Sequence, residues 1–176
     1  MGEILGTIYG RLLMLLALIA IAVLTLVALR QDRAAAQASD LMLVMTNARQ
    51  AFTNSPSGYA NFSNGNLATL VSTGVIPPRM VRNGKLVDRW GKDMALDYTW
   101  DSTHGTQGRI TFGGGESTEE CVKLVSSLTD FDKLIVNALA FDQSALPNST
   151  PYSTHLVANY CAQSAPQGAN ISVTFS

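Results

Sequence analysis

From Leu12 to Leu29 the chain reads LLMLLALIAIAVLTLVAL, eighteen residues without a charge, a glycine or a proline. A helix rising about 1.5 Å per residue covers a hydrocarbon core of roughly 30 Å in about 20 residues, so the run is long enough to cross a bilayer. Arg11 precedes it, and Arg30, Asp32 and Arg33 follow. Beyond Arg33 the apolar positions narrow to one face. Ala34, Ala38, Leu41, Met45, Ala48 and Phe52 recur at spacings of three or four, the pattern of an amphipathic helix. No glycine or proline interrupts Leu12 to Ser55, and most residues there favour helix. The pattern predicts one helix of about fifty residues, lipid-compatible all round in its first half and striped in its second. A cleavable secretory signal is the competing reading, with AAAQA at Ala34–Ala38 as its small-residue cleavage site.

Asn54, Ser55, Pro56, Ser57 and Gly58 close this helix. A polar stretch to about Asn83 follows, holding a short helical segment, Asn66 to Ile76, that ends near Gly74 and is stopped by Pro77 and Pro78. Three short runs rich in β-branched and aromatic residues then read as strands of an antiparallel meander: Lys85–Trp90, Met94–Trp100 and Arg109–Gly113. A second long helix is expected from Ser117 to about Ala140. Ser117 and Glu120 form a capping-box pattern, and Val122, Val125, Leu128, Phe131, Leu134, Ile135 and Leu139 are spaced to bury one side. Asp142 to Thr154 reads as an exposed loop containing Pro147 and Pro151, His155 to Ala162 is too short to assign, and Ala169–Phe175 alternates as a final strand.

The chain therefore divides, on sequence, into a helix over residues 1–53, with 12–29 as its membrane-length segment, and an α+β head over 54–176. At 176 residues there is room for one domain and an appendage. A net charge of -1, with no local run of Lys or Arg, gives no field to gather polyanions, which excludes nucleic acid as a partner class.

The two cysteines, Cys121 and Cys161, both lie in the last third of the chain. A membrane anchor followed by a polar domain places that domain outside the cytoplasm, where disulfides persist. One intrachain bond is then possible, closing a loop of about 40 residues over 121–161 and contributing about 3 to 4 kcal/mol. Two buried free thiols in a reducing compartment are the alternative. A metal site has little support, since the two histidines, His104 and His155, stand in no ligand spacing with the cysteines or each other.

No catalytic constellation stands out. No serine lies in a G-x-S-x-G elbow, Phe112–Glu116 (FGGGE) lacks the Lys-Ser/Thr of a phosphate loop, and the adjacent Glu119 and Glu120 diverge on a helix. Asn61, Asn148 and Asn170 sit in N-x-S/T patterns of the kind that chance supplies. The reading is of a non-enzyme without a cofactor.

The layout resembles the type IV pilins, and in its later part their type IVb branch, the long pilins of toxin-coregulated, bundle-forming and conjugative thin pili. The residues that carry the likeness are the greasy helix continuing into an amphipathic half, SGY at Ser57–Tyr59, the segment STEECVKLVSSLTDFDKLIVNAL around the first cysteine, and THLVANYCAQSAPQGANISVTF around the second. The resemblance implies a long N-terminal α-helix packed on an antiparallel β-sheet head, and a structural subunit held in the inner membrane before an assembly machinery builds it into an extracellular fibre of itself. Leu12, Leu16, Ile19, Val23 and Leu26 would line the filament core. Cell attachment, aggregation or conjugative contact would be the fibre's work. A single-pass anchored binding protein, or a minor pilin outside the fibre body, is the alternative.

One departure from the family pattern concerns assembly. Such pilins carry a glutamate at the fifth mature position that neutralises a neighbour's N-terminal amine. Here Glu3 is the only acidic residue before Asp32, and starting the chain after Gly2, Gly6 or Gly10 puts Thr7, Arg11 or Leu15 in fifth place. The resemblance can pass that role only to Glu3. Arg11 offers a physical counterpart: about 12 Å of helix rise beyond Glu3, it could pair with the Glu3 of a staggered neighbour. Alternatively, both residues lie at a membrane interface, with Arg11 reaching to the headgroups.

Overall fold

The computed structural model describes residues 2–102, 105–137, 139–142, 153–163 and 168–176, with the side chains of 2–9, 23–32 and 142 left aside. Helix α1 spans Gly2–Phe52. The chain forms two compact units, one up to Asp32 and the other from Arg33 to Ser176.

In the second unit the expected stripe is buried: Ala34, Ala38, Leu41, Met45 and Ala48 are all sealed from solvent, and Val44 joins them. They share one core with the strands of the head. The stripe is not wholly apolar, since Gln37 and Asp40 lie in it and are equally buried.

After α1 the chain makes 3-10 turns at Gly58–Asn61 and Asn64–Asn66, then the short helix α2, Leu67–Ser72. Strands β1, Val81–Arg82, and β2, Lys85–Leu86, form a small hairpin around Asn83 and Gly84, both with positive φ. That turn geometry suits Asn-Gly. The strand expected over Lys85–Trp90 is therefore confined to its first two residues. Asp88 ends it by folding the chain back on its own carboxylate, which accepts from the backbone N–H of Trp90 and of Lys92.

The main sheet has five strands, all antiparallel, in the order β3-β4-β7-β5-β6. Strand β3 is Ala95–Asp101, β4 is Gly105–Gly113, β5 is Lys133–Val136, β6 is Leu139–Asp142 and β7 is Asn170–Phe175. The expected meander holds for β3 and β4. The final strand then enters the middle of the sheet, between β4 and β5, with Ile171, Val173 and Phe175 buried.

The helix expected over Ser117–Ala140 is corrected by the structure. Helix α3 is Thr118–Ser127 and begins as expected, the Ser117 hydroxyl accepting from the Glu120 N–H and the Glu120 carboxylate accepting from the Ser117 N–H. It stops because Leu128 turns extended and Asp130 adopts a positive φ, and LIV at 134–136 then pairs as a strand. Asn137, also at positive φ, opens the two-residue link to β6. Asp and Asn tolerate that left-handed geometry, and β-branched Ile135 and Val136 suit a pleated strand more than a helix. The unassigned stretch near His155 is helix α4, Thr154–Ala162. His104, Asn148 and most of the loop expected at Asp142–Thr154 lie outside the described residues.

Candidate assembly site

In the first unit the helix shows Leu12, Leu13, Met14, Leu15, Leu16, Leu18, Ile19 and Ile21 to solvent, each between 54% and 67% exposed. Consecutive positions on a helix point in different directions, so this surface is apolar on every side rather than along one stripe. Leu12, Leu16 and Ile19 step by four and three residues, the spacing of a seam between packed helices. Arg11 is exposed beside them. Glu3 stands on α1, but its side chain, like those of Val23 and Leu26, lies outside the described residues. Among the described residues no helix is long and apolar enough to cross a membrane. The second half of the run Leu12–Leu29 falls in the part whose side chains are left aside.

The head is fastened at several points that hold α1 and the strands together. Asp40, its side chain 3% exposed, is gripped by two guanidinium groups. Arg79 donates to Oδ1 and Arg89 to Oδ2, each through Nε and Nη2 at 2.5 to 2.9 Å. Gln37 Oε1, one turn earlier on the helix, accepts from the backbone N–H of Arg89 at 2.9 Å. A buried carboxylate meets its desolvation cost only with such dense pairing. Sequence reading did not find this clamp. The available signal was a carboxylate and an amide falling at stripe positions where the helical period called for apolar residues.

At the C-terminal end of α1 the rings of Phe52, Tyr59, Phe62 and Phe175 meet, mostly edge to face, with centroids 5.5 to 6.3 Å apart. The Arg49 guanidinium lies over the Phe175 ring and donates to the backbone carbonyls of Ser176 and Asp130. Burial pushes the Tyr59 hydroxyl up from its ordinary pKa, more than Arg49 pulls it down.

The structure brings Cys121 of α3 and Cys161 of α4 together in a disulfide, with Cα atoms 5.9 Å apart. It ties the two helices across 40 residues. On the outer strand β3, Asp97 is paired with Arg109 of β4, whose hydrogen bond holds the carboxyl below the usual range. His155 is exposed. Among the described residues no group of three or more His, Cys, Asp or Glu could hold a metal ion.

Among the described residues three buried side-chain polar atoms have no hydrogen-bond partner: the Tyr59 hydroxyl in the aromatic cluster, and Asp88 Oδ2 and Trp90 Nε1 in the turn after β2. Asp97 and Asn64 meanwhile occupy the outer edge of β3: Asn64 Oδ1 accepts from the Leu96 N–H at 2.9 Å and Asp97 Oδ1 from the Tyr98 N–H at 2.8 Å. That edge is thereby less open to strand addition.

No protein-family model and no curated protein sequence matches the chain. In three dimensions it is similar to the crystal structure of TcpA, a type IV pilin from Vibrio cholerae El Tor biotype. The match has a TM-score of 0.50, covers 83% of this chain and 97% of that one, and carries 18% sequence identity. The fold is that of a type IV pilin, as the sequence resemblance implied.

Proposed function

We propose that this chain, built on a type IV pilin fold, is the structural subunit of an extracellular filament of the type IVb kind. The observation that carries the proposal is the helix surface Leu12–Ile21, apolar and exposed on every side. Each such side chain gains about 1 kcal/mol or more on leaving water, so the segment requires an apolar surrounding. Two are on offer in succession: the hydrocarbon of an inner membrane, which the run Leu12–Leu29 is long enough to span, and then the same segment of other copies.

Packing among copies turns the segment into a polymer. A head-to-tail contact that does not close into a ring propagates as a helical fibre. In that fibre Leu12, Leu16, Ile19, Val23 and Leu26 form the core seam, with residues 54–176 outside as a head steadied by its disulfide. Residues 1–53 then act as anchor and connector. Arg11 is a charge at the edge of an apolar bundle, which is costly unless paired, and Glu3 of a neighbour staggered by about 12 Å is the available carboxylate. A pilus assembly machinery would extract the subunit from the membrane, and the finished fibre would serve attachment, aggregation or conjugative contact between cells.

Electron microscopy of material sheared from the cell surface, labelled with antibody to the head, tests the proposal. Labelled fibres are expected. Label confined to the membrane fraction as dispersed monomers would contradict it.

A further inference from the structure

Three loops converge beside strand β4: the turn 88–92, the glycine-rich link 113–116 and the entry to β7 at 168–169. They touch closely. A Cβ on Gly115 would stand 2.7 Å from the Cβ of Trp90, and one on Gly168 would stand 2.7 Å from the carbonyl carbon of Gly114. Two carboxyl groups are sealed into this junction, Asp88 at 2% and Glu116 at 4% exposure.

They are satisfied unequally. Glu116 uses both oxygens, Oε1 accepting from the Ala169 N–H at 2.8 Å and Oε2 from the Gly115 N–H at 3.0 Å. It thereby laces two of the loops together. Asp88 uses only Oδ1, which accepts from Trp90 and Lys92, while Oδ2 is buried and accepts from nothing. An ionised oxygen in that position loses its water and gains no donor, whereas a protonated one is neutral.

Among the described residues no ion pair to Asp88 corrects the imbalance. On the same segment, Arg89 is committed to Asp40 of α1, Lys85 is paired with Asp93, and Lys92 offers its backbone N–H to Asp88. From the facing loop comes another carboxylate, Glu116, and from the β7 side only the backbone of Ala169. Burial first, and then the repulsion of Glu116, push the Asp88 carboxyl up from its ordinary range against the pull of the Lys92, Trp90 and Gly91 N–H groups.

We propose that Asp88, set against Glu116 in this junction, is a proton-operated latch: the three loops lock when Asp88 is protonated and loosen when it is ionised. Glu116 leads into α3 and its Cys121, and Ala169 leads into β7, so the latch governs how firmly the disulfide-bounded part of the head is held. The direction follows from linkage. A carboxyl whose folded pKa lies above its unfolded one favours the fold most when protonated, below about pH 4, and that contribution is lost as pH rises through the folded value.

The test uses the full chain in detergent micelles. Thermal unfolding of the wild type and of Asp88→Asn is compared at about pH 3.5, below the ordinary aspartate value of about 4, and at about pH 7.5, well above it. The variant should gain in melting temperature over the wild type at the higher pH and gain less at the lower. A variant equally or more destabilised at the higher pH would overturn the latch. A carbon-detected titration of the wild type covers the case in which the variant does not fold. Asp88 Cγ should titrate above the ordinary aspartate value of about 4, and a midpoint at or below that value would overturn the proposal.

Discussion

Asp40 and Arg89 meet as a fork on a single oxygen: Nε and Nη2 of Arg89 lie 2.8 and 2.5 Å from Asp40 Oδ2, with Arg79 on the other oxygen. The contact joins α1 to the turn after β2, 49 residues away in sequence. Removing the carboxylate frees two guanidinium groups that are partly exposed and can turn to water. Asp40→Ala should therefore cost about 1 to 3 kcal/mol through its lost charged hydrogen bonds, and Arg89→Ala less, because Arg79 stays on the buried carboxylate. Chemical denaturation of the two variants in micelles checks the order.

The disulfide acts on the unfolded chain. Closing 40 residues between Cys121 and Cys161 contributes about 3 to 4 kcal/mol in the chain-entropy model. Cys161→Ser should lower the midpoint of unfolding accordingly, and mild reduction of the wild type should reproduce the loss. A reduced protein with an unchanged midpoint would show that the link is structurally idle.

Gly108 has a steric duty. It lies in the middle of β4, and a Cβ there would stand 2.6 Å from Phe175 Cζ and 3.0 Å from Tyr59 Cδ1. Those rings are already packed edge to face, at 5.5 Å between centroids. Gly108→Ala should cost about 1 to 3 kcal/mol through overpacking, although the backbone there is ordinary. Near-UV circular dichroism of the aromatic cluster, read beside the melting temperature, would register the displaced rings.

What the sequence made legible follows the range over which each signal acts. The period of Ala34, Ala38, Leu41, Met45 and Ala48 and the Ser117–Glu120 box are local, and both appear in the structure as read. The pairing of Cys121 with Cys161 was the single intrachain bond two cysteines allow. Strand β5 was missed because Leu128, Phe131, Leu134 and Ile135 also fit a helical spacing, and only the left-handed turns at Asp130 and Asn137 separate the two readings. The Asp40 clamp and the Asp88–Glu116 junction stayed hidden for another reason. They join residues dozens of positions apart, and no local period encodes such meetings. On β3 the aromatic content of Met94–Trp100 marked a strand, yet Tyr98 and Trp100 are exposed, Trp100 at 70%, while Leu96 is buried.

The proposed filament requires the exposed apolar surface Leu12–Ile21 to be covered by other copies of the chain. A cryo-electron-microscopy density map of fibres sheared from the cell surface measures this directly. It should show a bundle of helices along the fibre axis, with Leu12, Leu16 and Ile19 of one copy packed against other copies and the heads arrayed outside. A fibre held together by head contacts alone, with these residues away from the axis, would contradict it.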